Sequence, residues 1–220
     1  MAAPRPAPST KTLGKCPPDD DALQASLGGG ENNPPYFAPP LFKHGDLILS
    51  QTPKLGLAGS AENEGDLYRA NALALTALDL LSNEVHDTHH PISTMLFWKD
   101  QKEESKRRSK EFVQNRLPYV LSYWQRVLDS EGRGRGPWLL GNTFTYADLV
   151  LFQTLDGTTY AFPKARKQAR ESGKYARVFK LWEDVKARPN IAAYLASDRR
   201  QKYQKFGVYR YYEDNDFTGE

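Results

Sequence analysis

The stretch WLLGNTFTYAD, residues 138–148, contains the clearest structural signal in the sequence. Thr145 and Asp148 have the spacing of a capping box, in which a threonine caps the first turn of a helix and a side chain three residues on reaches back to the backbone of the cap. Apolar residues continue at helical spacing as far as Leu155. The stretch therefore predicts a helix that begins after Thr145 and packs into a core.

Two long helices are predicted before this stretch. Asp66–Val85 carries apolar residues at nearly every angle, so we expect a helix that is buried on most sides. Asp100 and Glu103 also have capping-box spacing, and the helix that they open has an apolar stripe as far as Leu128. Pro118 lies inside this second helix and is expected to bend it, because proline has no backbone N–H.

Two further helices are predicted after the stretch. Tyr175–Lys186 has an apolar stripe, and Pro189 is suited to the first position of the helix that follows. We therefore expect an all-helical domain over residues 62–200 and a C-terminal tail over residues 201–220. Four tyrosines near the C-terminus either pack on the helices, which we favour, or cover a pocket: Tyr203, Tyr209, Tyr211 and Tyr212.

The first 60 residues have a different composition. Residues 1–35 are rich in Pro, Gly, Asp and Asn without a sustained period, so we interpret them as an irregular segment. Within residues 36–60, two short apolar runs, Leu41–Lys43 and Leu47–Ser50, flank the turn-forming residues His44-Gly45-Asp46. This pattern predicts a β-hairpin.

Composition limits the function classes. The chain has 220 residues, of which 12% are aromatic, and this suits a globular core rather than a disordered chain. No apolar run reaches the ~18–20 residues of a membrane span, and no secretory leader is recognisable after Met1. Cys16 is the only cysteine. An intramolecular disulfide is therefore excluded, and we expect a reducing, cytoplasmic location without a membrane partner.

Charge is uneven although the net charge is only +3. Residues 161–212 contain 14 Lys and Arg against 4 Asp and Glu. Such a segment could meet nucleic acid or another anionic partner. We favour a solvated helix face, because the same helices carry a regular core stripe, and we expect no nucleic-acid partner.

Four segments together resemble the cytosolic glutathione transferases, over roughly residues 35–200. They are Ala38–Phe42 with the hairpin and Ser50–Thr52, the stretch 138–148, Arg188–Leu195, and the pair of long helices. The resemblance implies a mainly α fold, with an all-α C-terminal bundle of glutathione-transferase type. It also implies a reduced thioredoxin-like N-terminal domain in residues 36–60. In the family, Thr145 and Asp148 would belong to a folding element rather than to the catalytic site.

The resemblance also implies a glutathione site. A cis-proline lies at the position of Pro40 in the family, and Gln51 keeps the family's spacing from it. The cis bond would expose the carbonyl of Pro39 to the cysteinyl unit of glutathione, and Gln51 and Thr52 would hold its γ-glutamyl carboxylate. In the same frame, the resemblance places the pocket for a small hydrophobic electrophile at His86, Tyr119 and Tyr123.

The family pattern fails at three places in this glutathione half. No strand is recognisable before Tyr36 to deliver the Tyr, Ser or Cys that stabilises the thiolate, so the catalytic residue is unknown. Pro53–Gly59 holds two glycines where the family has a helix of several turns, and Pro39 lacks an N–H that would bind glutathione. We interpret Cys16 as an incidental thiol, because the acids Asp19–Asp21 disfavour a thiolate. Two explanations of these departures stay open: the chain is a natural, divergent member of the family, or the sequence lacks coding segments.

His86 and His90 stand four residues apart near the end of the first long helix, which is a spacing that can hold a metal ion on a helix. Pro91 ends the helix there, and no further ligand follows at a set distance. We therefore expect no metal and assign these histidines to the helix end, where partial protonation complements the dipole.

Three functions follow from these patterns. The first is a glutathione transferase that acts in detoxification as a homodimer, conjugating glutathione to small electrophiles or using it in isomerisation. The alternative is a non-catalytic, transferase-like scaffold that has lost the strand which activates glutathione. A module that binds nucleic acid or an acidic partner through residues 161–212 is the least favoured.

Overall fold

The computed structural model describes residues 41–44, 47–50 and 64–218 of the chain, which divides into two compact units, residues 1–59 and 60–220. In the first unit, strands β1 (Leu41–His44) and β2 (Leu47–Ser50) pair antiparallel, with Leu41 opposite Ser50. The predicted hairpin is thus present, and β1 includes His44, which the sequence pattern assigned to the turn. The irregular segment predicted over residues 1–35 lies outside the described residues.

The second unit begins with a long helical element. It consists of α1 (Glu64–Ala77), a π-helical segment (Leu78–Asn83) and α2 (Glu84–His89). Burial is confined to one face, in which Ala70, Ala74, Ala77, Leu81 and Val85 are fully buried. The expectation of burial on most sides was therefore wrong, because other apolar positions such as Tyr68 and Leu75 are exposed.

The second long element begins with a 3-10 turn (Trp98–Gln101) and continues as α3 (Lys102–Glu111), a π-helical segment (Phe112–Arg116) and α4 (Leu117–Asp129). The predicted capping box at Asp100 does not form: Gln101 is the N-cap and makes no side-chain cap hydrogen bond. The second π segment ends at Arg116, two residues before Pro118, and the N–H of Leu117 bonds to the carbonyl of Phe112, five residues back.

Four shorter helices complete this unit: α5 (Tyr146–Ala161), α6 (Pro163–Glu171), α7 (Ala176–Lys186) and α8 (Pro189–Leu195). The capping box at the start of α5 forms as predicted, and α7 and α8 agree with the predicted helices. Helix α6 was not predicted, because it is mostly polar and buries only Ala165. The described part of the chain is thus mainly helical, as the resemblance implies.

The segment after α8 packs against the helices. Tyr209 is buried at the level of Gly157, where a Cβ atom would lie 2.4 Å from the tyrosine ring. Tyr203 donates a hydrogen bond of 2.8 Å to Asp156, and its ring stacks on that of Tyr160. Packing on the bundle is therefore observed for two of the four tyrosines. Within residues 64–218, the helices are too short or too polar to span a lipid bilayer.

The basic segment is extensively paired. Six of its 14 basic residues form ion pairs in the described part of the chain: Lys164, Lys167, Arg170, Arg177, Lys180 and Arg200. The guanidinium of Arg188 instead lies 3.8 Å from the ring centroid of Phe144. Much of the positive charge is therefore used in contacts within the molecule.

Candidate functional site

The residues predicted for glutathione binding lie outside the described residues. These are Pro39, Pro40, Gln51 and Thr52, and the same holds for Cys16. Their assignment therefore stays a prediction.

The residues predicted for the electrophile pocket are described, and they lie in different surroundings. The ring of Tyr119 is exposed and lies 5.3 Å from the guanidinium carbon of Arg116. Tyr123 is half-buried and lines a cavity together with Leu73 and Val127. His86 stands at the end of α2, beside two other histidines. A shared pocket for these three residues stays a prediction.

A different cavity, which we call the aromatic cavity, opens beside the C-terminal end of α2. Its volume is about 450 Å³, and its walls come from the loop after α2 and from the segment after α8. The residues that define it are His90, Leu96, Phe97, Trp98, Lys99, Phe206, Arg210 and Tyr212. Phe97 and Phe206 are 71% and 86% exposed, so large apolar surfaces are available to a ligand.

Gln101 fixes the loop wall of the aromatic cavity. Its side chain is fully buried, and its carboxamide oxygen accepts a hydrogen bond of 2.9 Å from the N–H of Ile92. Its amide nitrogen donates to the carbonyls of Ser93 and Leu96, at 2.9 and 3.1 Å. These bonds satisfy backbone N–H and carbonyl groups of the loop within the molecule. The loop can therefore keep its conformation while its apolar side chains are exposed to solvent.

Ser105 ties the second wall to the first. Its hydroxyl donates to the carbonyl of Thr88 at 2.6 Å and accepts from Trp98 Nε1 at 3.0 Å and from Asn215 Nδ2 at 2.7 Å. The rings of Trp98 and Tyr212 are stacked, with centroids 4.2 Å apart. The end of α2, the loop and the tail are therefore joined at one hydroxyl.

Three histidines, His86, His89 and His90, form a cluster beside the aromatic cavity. Their ring centroids are 4.8 to 5.0 Å apart, and one ring nitrogen of each lies within 4.8 Å of the others. His89 is only 1% exposed, and burial lowers its pKa to about 3; the nearby charge of Arg210 acts in the same direction. Burial also lowers the pKa of His90. These two rings are therefore neutral near pH 7, and the cluster is the group of described residues that could hold a metal ion.

The spacing of His86 and His90 was recognised in the sequence, but His89, which lies between them, was not counted as a third ligand, although the three residues have the i, i+3, i+4 spacing of one helix face. The aromatic cavity was not predicted. The concentration of aromatic residues at 97–98 and 206–212 was a usable signal, but the contact between these two segments joins residues more than 100 positions apart.

The chemistry of the aromatic cavity suits an apolar ligand with a polar or anionic group. Aromatic rings provide stacking surfaces, while Lys99 from the loop wall and Arg210 from the segment after α8 add positive charge to the lining. One titratable neighbour, His90, is held neutral by burial and can act as a hydrogen-bonding partner.

Comparisons with known proteins converge on one family. A family model described as "Glutathione S-transferase, C-terminal domain" matches residues 86–198. Glutathione S-transferase P 1 of Bufo bufo is 26% identical over 76% of this chain and 72% of its own length. A glutathione S-transferase of Plasmodium yoelii yoelii is 24% identical over 79% of this chain and 74% of its own length.

A solved structure has a similar fold. It is described as rat hPGDS complexed with a quinoline, and it superimposes with a TM-score of 0.55 at 20% sequence identity, over 76% of this chain and 75% of that one.

Proposed function

The chain belongs to the glutathione S-transferase family, and from this membership we propose that it uses glutathione as a co-substrate to modify small hydrophobic electrophiles. In conjugation, the sulfur of glutathione forms a bond to the electrophilic carbon, while the thiol proton and the leaving group depart. In isomerisation, the same thiol adds and is later released. The family match over residues 86–198 carries this proposal.

In the proposed reaction, the N-terminal unit binds glutathione. Gln51 and Thr52 hold the γ-glutamyl carboxylate, and the carbonyl of Pro39, before a cis bond to Pro40, accepts a hydrogen bond from the cysteinyl N–H. No thiolate-stabilising residue is assigned, so rate acceleration rests mainly on holding the two reactants together.

The aromatic cavity is the proposed electrophile site. Its exposed rings, Phe97 and Phe206, offer the stacking surfaces that a planar apolar substrate uses, and Arg210 stands where a nitro or carbonyl oxygen would need a cation. His86 borders the cavity through its ring contact with His90. Tyr119 and Tyr123 are kept as a second, separate proposal for substrate contacts.

Retention of the full chain on immobilised glutathione tests the first step, and conjugation of a chlorodinitrobenzene reagent tests the second. Gln51→Ala is expected to weaken glutathione binding by ~1.5–3 kcal/mol, the value of a hydrogen bond to a charged group. Gln201→Ala removes an exposed glutamine and serves as the matched control. Equal retention of wild type and Gln51→Ala would contradict the placement of the glutathione site.

The alternative function is a non-catalytic scaffold of the same family. The sequence before Tyr36 favours it, because no strand that could deliver a thiolate-stabilising residue is recognisable in that sequence. Retention on glutathione without any conjugation, across several electrophile classes, would support the scaffold over the enzyme. We further propose that the chain is a cytoplasmic homodimer, which sedimentation at micromolar concentration tests.

A further inference from the structure

We propose that the histidine cluster, His86, His89 and His90, binds one divalent transition-metal ion of the zinc class, with three imidazole ligands. The inference is independent of the transferase reaction and rests on the geometry of α2 and its surroundings.

The three rings lie together because of their positions on the helix. Residues at i, i+3 and i+4 lie on one face of an α-helix; here His86 and His89 lie in the last turn of α2, and His90 is its C-cap. Their candidate ligand nitrogens lie within 4.8 Å of one another. A tetrahedral zinc ion with bonds of about 2.0–2.1 Å requires nitrogen atoms about 3.3 Å apart. Small rotations of the rings about their side-chain bonds can close this difference.

The ring of His89 has one nitrogen bonded to a neighbour and one left for an ion. His89 Nε2 donates to the carbonyl of Val208 at 2.9 Å, while its Nδ1 is buried and has no hydrogen-bond partner among the described residues. A buried nitrogen lone pair without a partner is uncommon, and a metal ion would satisfy it.

The other two rings are held less firmly. His86 Nδ1 lies 3.6 Å from the carboxylate of Asp87, which is too long for a hydrogen bond, so either nitrogen of this ring is available to an ion. His90 Nδ1 lies 3.1 Å from the amide nitrogen of Gln101, which is a donor, so an ion at Nε2 requires the ring proton to move to Nδ1, where the carbonyls of Ser93 and Leu96 can accept it. Histidines that ligate metals commonly donate their second ring N–H to a carboxylate, a backbone carbonyl or water, which fixes the orientation of the ring.

The ligand set determines the class of ion. Three imidazoles and no carboxylate suit Zn²⁺, Cu²⁺ or Ni²⁺, whereas Mg²⁺ and Ca²⁺ require oxygen ligands. The positive charge of Arg210 acts on His89 and His90 and opposes the binding of a cation. The negative charge of Asp87, beside His86, acts in the opposite direction.

Titration of tag-free, chelator-treated full chain with Zn²⁺ in a calorimeter tests the proposal. We expect one ion per chain. Co²⁺ should give the visible absorption of a tetrahedral site without the sulfur-to-cobalt band that Cys16 would produce. Binding of no ion, or a band from Cys16, would overturn the proposal.

Variants of the two more accessible ligands locate the ion. His86→Asn and His90→Gln should each weaken Zn²⁺ binding by about 10-fold to 100-fold. His44→Asn removes the fourth histidine of the chain and should leave the affinity unchanged, so it is the matched control. Zn²⁺ at a few times the wild-type Kd should raise the melting temperature of wild type and of His44→Asn more than that of His86→Asn. Equal affinity in all variants would refute the site.

Discussion

Replacing Asp148 by alanine should destabilise the helical unit strongly. Its buried carboxylate accepts three hydrogen bonds: from the N–H of Leu139 at 2.8 Å, from the N–H of Thr145 at 2.8 Å and from the hydroxyl of Thr145 at 3.2 Å. Asp148→Ala leaves two buried backbone donors without an acceptor, at a cost of about 1–3 kcal/mol each. Removing a desolvated charge offsets part of this cost, so we expect a net loss of about 3 kcal/mol.

Urea unfolding of the full chain, followed by helical circular dichroism, measures this loss as a lower midpoint at unchanged slope. Asp148→Asn retains one acceptor oxygen and should fall between wild type and Asp148→Ala. Asp100→Ala is the matched control, because the capping box predicted there is absent, and it should change the free energy of unfolding by less than about 0.5 kcal/mol. A loss from Asp148→Ala no larger than that of the control would refute the reasoning.

Three further predictions concern pH, tail packing and substrate binding. Burial raises the pKa of Asp148, so the free energy of unfolding of wild type should fall as pH rises from the ordinary aspartate range through the raised pKa. Unfolding curves at a series of pH values should therefore show Asp148→Asn approaching wild type as pH rises. Gly157→Ala should cost about 1–3 kcal/mol, because its Cβ meets the ring of Tyr209, and should make the tail more sensitive to limited proteolysis. Phe97→Ala should raise the KM for an aromatic electrophile about fivefold with little change in kcat, which steady-state kinetics measures against Tyr68→Ala, an exposed aromatic control on α1.

Local signals in the sequence predicted the helical unit well. The capping box at Thr145 and Asp148 and the proline at the start of α8 depend on residues that are neighbours in the chain, so their spacing was sufficient. The box predicted at Asp100 failed for a tertiary reason. Gln101 is committed to the backbone of the loop after α2, and the chain enters α3 through a 3-10 turn instead.

The aromatic cavity could not be predicted in this way. It depends on contacts such as His89 with Val208 and Ser105 with Asn215, which join residues 119 and 110 positions apart. The spacing of residues within one segment does not indicate which distant segment of the chain will pack against that segment. The spacing of the histidine cluster was readable, but the burial that leaves His89 Nδ1 without a partner arises only when the tail packs on α2.

The two π-helical segments affect how this chain aligns with a relative whose helices are regular. A π turn contains one residue more than an α turn, as the bond from Leu117 to Phe112 illustrates. An alignment without a gap through Leu78–Asn83 or Phe112–Arg116 would therefore be shifted by one residue on one side of the segment. On that side, core positions of one protein would be matched with surface positions of the other. A single-residue gap placed inside each segment restores the correspondence, and identities counted without these gaps understate the relationship between such chains.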